Sequence, residues 1–305
     1  MSLEVLNLQI FTLVQDKGRF SYSSIGVTSS GVIDEYAYLI LNKLLDNPQN
    51  TNVLEISFSN NSFKVDKDTL IAVTGAYCEF FINDIALDTW QTYTVKVGDI
   101  LKVGKIKSGT KVYLGVKNGF DIKKEFGSNS TTIKENLGGL NGDKLKKGDV
   151  LEYKEFLNTH ILIKRLHSKY LPKYEDKLTI RVILSYQDDF FKQEEKDKFF
   201  SSAYTITNEF NRMGCKLQGE AIRCDIDGII SEGISFGAIQ IPKDGQPIIL
   251  LKDRQTIGGY PKIGSVLSID CFKLSQCKPN TKIDFITISL EEGQNKVKEF
   301  YRSLS

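Results

Sequence analysis

The side chains that most often carry chemistry are scarce in this sequence, and their scarcity narrows the mechanisms open to it. There are two histidines, His160 and His167, and five cysteines, Cys78, Cys215, Cys224, Cys271 and Cys277. No C-x-x-C pair occurs, so a zinc site is not expected, and an odd number of irregularly spaced cysteines suits reduced core thiols. Both histidines fall in a polar, basic stretch between strand-rich regions, where a surface or structural role is the expectation and a Ser-His-Asp hydrolase is a poor reading. The sequence also lacks a G-x-x-x-x-G-K-[ST] phosphate loop, a G-x-G-x-x-G and a G-x-S-x-G. Catalysis by this chain must therefore rest on carboxylates, arginine, hydroxyls and backbone amides.

Four segments place such groups beside glycine. They are Thr12-Leu-Val-Gln-Asp-Lys-Gly-Arg19; Gly26-Val-Thr-Ser-Ser-Gly-Val-Ile-Asp34; residues 208–219, with Asn211-Arg212-Met213-Gly214; and residues 231–261. The last holds Ser231-Glu232-Gly233, Gly237-Ala-Ile-Gln240-Ile-Pro242 and Asp253-Arg-Gln-Thr256-Ile-Gly258-Gly259-Tyr260-Pro261. Gly31, just ahead of a helix start, offers free N–H groups to an anion, or else Ser30 and Asp34 simply cap that helix. Arg212 in its glycine-flanked loop suits a fork for carboxylate or phosphate, or an ordinary salt bridge. Gly258-Gly259 lets the backbone approach a ligand, with Tyr260 as an amphipathic wall, or forms a plain turn. Asp253 is readable as a base, as an anchor for a donor, or as a turn residue.

The elements that must hold these groups read mostly as strands. Short runs rich in β-branched and aromatic residues occur at 53–58, 70–74, 79–82, 111–116, 178–184, 248–251 and 283–288, punctuated by Gly, Asn and Asp. Helical spacing is confined to 34–45, with Ser30 or Asp34 as cap and Asn47-Pro48 as stop, and to about 192–203. Val97-Gly98-Asp99-Ile100-Leu101, Lys147-Gly148-Asp149-Val150-Leu151 and Ile263-Gly264-Ser265-Val266-Leu267 share one pattern, read as a glycine turn leading into a strand. The expected fold is mainly β, with two barrel-like units, residues 1–156 and 157–305, and a few helices. The N-terminal segments are expected to pack with the C-terminal unit, because both carry the glycine motifs.

Composition sets outer limits. Apolar residues make up 41% and charged residues 26%, as in an ordinary globular protein. Forty basic and 38 acidic residues leave a formal charge of +2, too weak a field to gather nucleic acid or an anionic membrane. With no apolar run long enough to span a bilayer and no signal-like start, a cytoplasmic location is expected.

Taken in order, the segments T-L-V-Q-D-x-G-R, G-V-x-x-x-G-x-x-D, N-R-M-G, S-E-G, G-x-I-Q-x-P and D-x-x-T-x-G-G-Y-P resemble the family of 5-oxoprolinase C subunits. That family is also called allophanate hydrolase subunit 2 or KipI antagonist, and is classed as a biotin-dependent carboxyltransferase domain. The resemblance runs from about Leu6 to Phe285 and takes in Gly75, Gly127-Ser128-Asn129-Ser130-Thr131 and Leu137-Gly138-Gly139-Leu140. Two departures stand out: Thr28-Ser29 precede Ser-Gly, and Asn129 occupies a position where many relatives have Arg.

The resemblance implies paired cyclophilin-like β-barrels. It also implies one component of an ATP-dependent 5-oxoprolinase, opening 5-oxo-L-proline to L-glutamate with partners like the A and B (KipI-like) components of that enzyme, and inactive alone. ATP, with Mg in the complex, would be the cofactor. Biotin enters only under an alternative, carboxyl transfer to urea or another small amide, and since no A-M-K-M context is present a separate carrier would be required. A third reading is a regulatory module that antagonises a KipI-like kinase inhibitor. The expected site combines Asp34, Arg212 and Asp253 as catalytic groups with Ser30, Gly31, Gln240, Thr256, Gly258, Gly259 and Tyr260 as substrate or nucleotide contacts, with no metal held by the protein. Most of these, from Asp34 to Tyr260, are expected to converge on one groove.

Overall fold

The computed structural model describes residues 2–9, 11–157, 163–226 and 228–304. It is mainly β, as the strand-rich pattern requires, and it separates into two units. The first comprises residues 1–20 and 30–174, the second residues 21–29 and 175–305. The division thus falls at 174/175 and not at 156/157, and one N-terminal segment, 21–29, goes with the C-terminal unit. Tyrosine hydrogen bonds explain the later boundary: Tyr36 donates to the Tyr170 carbonyl (2.6 Å), Tyr77 to Pro172 (2.9 Å) and Tyr174 to Gly75 (3.2 Å). His160 lies outside the described residues. His167 accepts from the Lys169 amide at the start of a short 3-10 turn, a structural task.

The first unit holds strands β1 (Ser2–Asn7), β2 (Thr12–Gln15), β3 (Val53–Ile56), β4 (Asn61–Val65), β5 (Thr69–Ile82), β6 (Ile85–Leu87), β7 (Gln91–Val95), β8 (Ile100–Val116) and β9 (Val150–Glu152). They form one curled sheet, ordered β2-β3-β8-β4-β1-β9, with β5 pairing β6, β7 and β8 off that path. The long strands β5 and β8 each serve several neighbours, which bends the sheet around a core including Val14, Leu54, Phe63, Val73, Phe80 and Leu114. Helix α1 (Glu35–Leu44) begins at Asp34, whose carboxylate accepts from the Ala37 amide (3.1 Å), as its sequence signals require.

In the second unit, β10 (Lys177–Leu184), β11 (Tyr204–Phe210), β12 (Gly214–Gln218), β14 (Ala238–Gln240), β15 (Ile248–Leu250), β17 (Lys262–Val266) and β18 (Lys282–Thr287) close into a barrel. Closure comes from the parallel pairing of β10 with β18; the other barrel pairings are antiparallel. A separate two-stranded ribbon joins β13 (Glu232–Gly233) to β16 (Ile257–Gly258). Helices α2 (Gln193–Ser201), α3 (Ser268–Leu274) and α4 (Leu290–Leu304) complete the unit. Of the three expected glycine turns, Gly98 and Gly148 have positive φ and precede β8 and β9. Gly264 does not: it sits inside β17, where a β-carbon would come 2.6 Å from Val182 Cγ1, so that glycine serves close strand packing.

Candidate functional site

Three of the glycine-rich motifs meet within the second unit around a cavity of about 360 Å³. Its wall draws on Asn211 and Met213 from the turn between β11 and β12, on Gly214 at the start of β12, on Gln240 from β14, and on Ile248 and Leu250 from β15. Ile234, Arg254, Gln255, Gly258, Gly259 and Tyr260 supply the remaining side, with Glu209 and Lys216 also contributing. The backbone explains why these stretches come together. Residues 228–234 and 254–260 run antiparallel through Glu232↔Gly258, with the Ile229 amide on the Gly259 carbonyl and the Ile234 amide on Thr256. The Ile241 amide bonds the Pro261 carbonyl (2.9 Å), which ties β14 to the end of the same segment.

Of the second-unit residues expected at a site, Gln240, Gly258, Gly259 and Tyr260 line the cavity, whereas Arg212, Asp253 and Thr256 do not. Arg212 instead forms a bidentate ion pair with Asp253, Nε to Oδ2 at 2.7 Å and Nη2 to Oδ1 at 2.9 Å, with both side chains largely buried. Backbone bonds run parallel to that pair: the Asp253 amide meets the Arg212 carbonyl (2.8 Å) and the Leu251 amide meets Met213 (2.9 Å). The Asn211 side chain accepts from the Met213 amide (2.7 Å) and shapes the turn. Fork and carboxylate thus fasten two walls of the cavity to each other. Thr256 contributes its carbonyl to the ribbon.

One cavity-lining cation is not singled out by the sequence reasoning. Arg254 donates from Nε to the Ile234 carbonyl (3.0 Å) and from Nη1 to the Leu251 carbonyl (3.2 Å) and Ser29 Oγ (3.3 Å). Its acceptors are neutral. Burial pulls its pKa below the usual arginine value, although a guanidinium stays charged at any physiological pH. The signal is present, a second arginine in a glycine-rich segment, but Arg212 stands nearer to glycine and is the more conspicuous. Gln240 shows the other distinctive feature. Only 6% exposed, it lines the cavity, and its side-chain amide makes no hydrogen bond among the described residues.

Ser30, Gly31 and Asp34 belong to the first unit and are buried there or bound into its framework. Ser30 Oγ donates to the Thr131 carbonyl (3.0 Å). A β-carbon on Gly31 would come 2.6 Å from the Lys17 carbonyl oxygen, at a φ of +99°. Besides capping α1, Asp34 donates its amide to Tyr113 Oη (3.0 Å), which in turn donates to the Glu55 carboxylate (2.9 Å). Burial raises the Tyr113 phenol well above its ordinary pKa, and Glu55 adds to that. Asn129 is likewise internal, donating to the Ile122 carbonyl (2.6 Å), so the residue at the usual arginine position serves the framework.

The donor set of the cavity decides whether a magnesium-bound nucleotide fits it. Its charged lining is Glu209, Lys216 and Arg254, and Lys216 already pairs with Asp244 (3.2 Å). Among the described residues no three His, Cys, Asp or Glu side chains gather to hold a metal ion. A triphosphate with its metal needs several cations and oxygen ligands together. This cavity does not fit that group; one guanidinium without a direct ion pair, three side-chain amides and apolar walls suit a small molecule of low charge.

These features define a two-unit β protein whose closed barrel carries a cavity with apolar walls and a few polar groups. A family model described as carboxyltransferase domain, subdomain A and B, matches residues 25–287, and the chain belongs to that family. It is 32% identical to the C subunit of 5-oxoprolinase from Haemophilus influenzae over 292 residues, covering 95% of this chain and 93% of that protein. The Escherichia coli C subunit is also 32% identical, with the same coverage. Saccharomyces cerevisiae urea amidolyase is 30% identical over 93% of this chain, but the match spans 16% of the yeast enzyme. The solved Kluyveromyces lactis urea carboxylase superposes on the whole chain with a TM-score of 0.93 at 28% identity, covering 29% of that protein. The resemblance read from the motifs is borne out. No described helix is long and apolar enough to cross a membrane.

Proposed function

We propose that this chain is the C subunit of an ATP-dependent 5-oxoprolinase, acting with partners like that enzyme's A and B components to open 5-oxo-L-proline to L-glutamate. The observation that carries the reading is 32% identity to two bacterial 5-oxoprolinase C subunits over 93% of each. Coupling to ATP has a chemical reason, since the lactam carbonyl is a poor electrophile and its activation by phosphoryl transfer needs cations and aimed N–H donors. The barrel cavity lacks the donors for a magnesium-bound nucleotide, so on this reading ATP is handled by the assembled complex. The purified chain alone should show no 5-oxoproline-dependent ATP hydrolysis, and activity should appear when both partners are added. Full turnover by the isolated chain, or a complete complex indifferent to 5-oxoproline, would contradict it.

The fold likeness to urea carboxylase over the whole chain favours one alternative, carboxyl transfer from a separate biotin carrier to urea or another small amide. Bicarbonate-dependent carboxylation of urea by the complex, with no response to 5-oxoproline, would move the assignment there.

A further inference from the structure

The barrel cavity contains two polar groups whose bonding is incomplete among the described residues. Arg254 gives Nε and Nη1 to carbonyl and hydroxyl acceptors, which fix the guanidinium plane; the neighbouring Asp253 carboxylate acts on its charge through space, but no described carboxylate contacts it and no described residue engages Nη2. A largely buried cation in this state is stabilised by an anion arriving from outside. Gln240 sits where β14 changes register against β17, between Ile239 and Gln240, an irregularity of the kind that re-aims a side chain. Its amide has both a donor and an acceptor to offer and uses neither on a described residue. A buried amide would ordinarily be satisfied.

Gly258 makes room for this arrangement. A β-carbon there would lie 2.8 Å from Gln240 Nε2 and 2.5 Å from Ile234 Cδ1, so any larger residue would force the amide and the Ile234 side chain to shift. Ile234, Ile248 and Leu250 give the cavity apolar walls, beside which a hydrogen bond is stronger than in bulk water.

We propose that Arg254 and Gln240 are a recognition pair for a small molecule bearing both a carboxylate and a secondary amide, Arg254 Nη2 taking the carboxylate and the Gln240 side chain taking the amide N–H and C=O. A lactam acid satisfies both demands at once, so this inference deepens the 5-oxoprolinase reading and rests on it for the choice of ligand. Arg212 and Asp253 are positioning residues in this scheme.

The test compares three probes on the full chain by calorimetry and ligand-observed NMR: 5-oxo-L-proline, 2-pyrrolidinone, which lacks the carboxylate, and cyclopentanecarboxylate, which lacks the amide. The expected result is binding of 5-oxo-L-proline at least ten times tighter than either fragment. Arg254→Gln should abolish the advantage over pyrrolidinone, and Gln240→Leu the advantage over cyclopentanecarboxylate. Gly258→Ala should act like Gln240→Leu without touching Arg254, which keeps the test valid if one variant folds poorly. The same variants in the assembled complex should raise KM for 5-oxo-L-proline tenfold or more. Probe ranking and KM both unchanged in folded variants would overturn the pair while leaving the enzyme reading intact. An Arg254-dependent preference for carboxylate amides in a chain whose complex ignores 5-oxo-L-proline would keep the pair and overturn the enzyme reading.

Discussion

In the first unit, the Asp16 carboxylate accepts from the Gly18 amide, the Ser128 and Ser130 hydroxyls and the Asn129 amide, at 2.5 to 2.8 Å. Arg19 beside it donates to the carbonyls of Glu125 and Ser130 and to Thr132 Oγ1, and it is almost fully buried. In the second unit, Gln240 is nearly as buried and its side chain bonds no described residue, while Arg254 uses Nε and Nη1 and gives Nη2 to no described residue. Both regions are written in the same residue types, polar side chains spaced by glycine. The difference lies in what completes their bonding: in one it is the chain's own loops, in the other a cavity open to a ligand. A motif of this composition is therefore a framework element when its donors and acceptors close on each other, and a recognition element when they do not.

The sharpest way to break that contrast is Asp16→Ala. It strips four donors of a buried charged acceptor and should destabilise the protein by about 4 kcal/mol, read by denaturant unfolding. A loss below about 1 kcal/mol would show that the network is ornamental to the fold. Next comes Arg212→Ala, which leaves Asp253 unpaired in a mostly buried setting. About 2 kcal/mol of stability should go, less than for a fully buried pair because both side chains keep some solvent contact. Assembly with the partners should survive, and kcat/KM of the complex should fall by roughly a hundredfold as the cavity wall loosens. Arg254→Gln should cost only about 1 kcal/mol, since neutral acceptors alone lose their donor. Its main effect should appear in ligand affinity, the reverse of the Asp16 result.

The smallest effect concerns Glu232 in the ribbon. Hydrogen bonding from Lys262 first, and from Tyr186 second, holds its carboxyl below the ordinary value of 4.5. A depressed native pKa gives stability that is present above the unfolded value and is lost as pH falls through the folded one. Because the side chain is about one-third exposed, a few tenths of a kcal/mol is the expected size. The Tm difference between the native chain and Glu232→Gln should therefore be small near pH 7 and vanish in acid. A difference that grows in acid would contradict the sign.

Much of the architecture is legible in the sequence, for physical reasons that differ by element. Strands at 53–58, 111–116, 178–184 and 283–288 announce themselves through β-branched runs, and α1 through its Asp34 cap and the Asn47-Pro48 stop. Helices α3 and α4 do not. Ser268–Leu274 is two turns long and mixes Ile, Cys and Phe, which suit a strand as well. Leu290–Leu304 has helical spacing in Val297, Phe300 and Leu304, but Gly293 interrupts its early turns and most of its surface is charged. At the site, composition marks the right segments and cannot say which polar groups will find partners. Arg212 and Arg254 are equivalent as letters. Only the fold shows that one meets Asp253 and the other meets carbonyls, because that depends on the ribbon and the β11–β12 turn closing on each other.

The most direct test of this distinction is a crystal structure of the chain grown or soaked with 5-oxo-L-proline. The ligand carboxylate should lie within hydrogen-bonding distance of Arg254 Nη2, its lactam against the Gln240 side chain, with the Arg212–Asp253 pair unbroken. Ligand bound through Arg212 with that pair opened, or bound among the first unit's Asp16 and Arg19 loops while the barrel cavity stays empty, would contradict it.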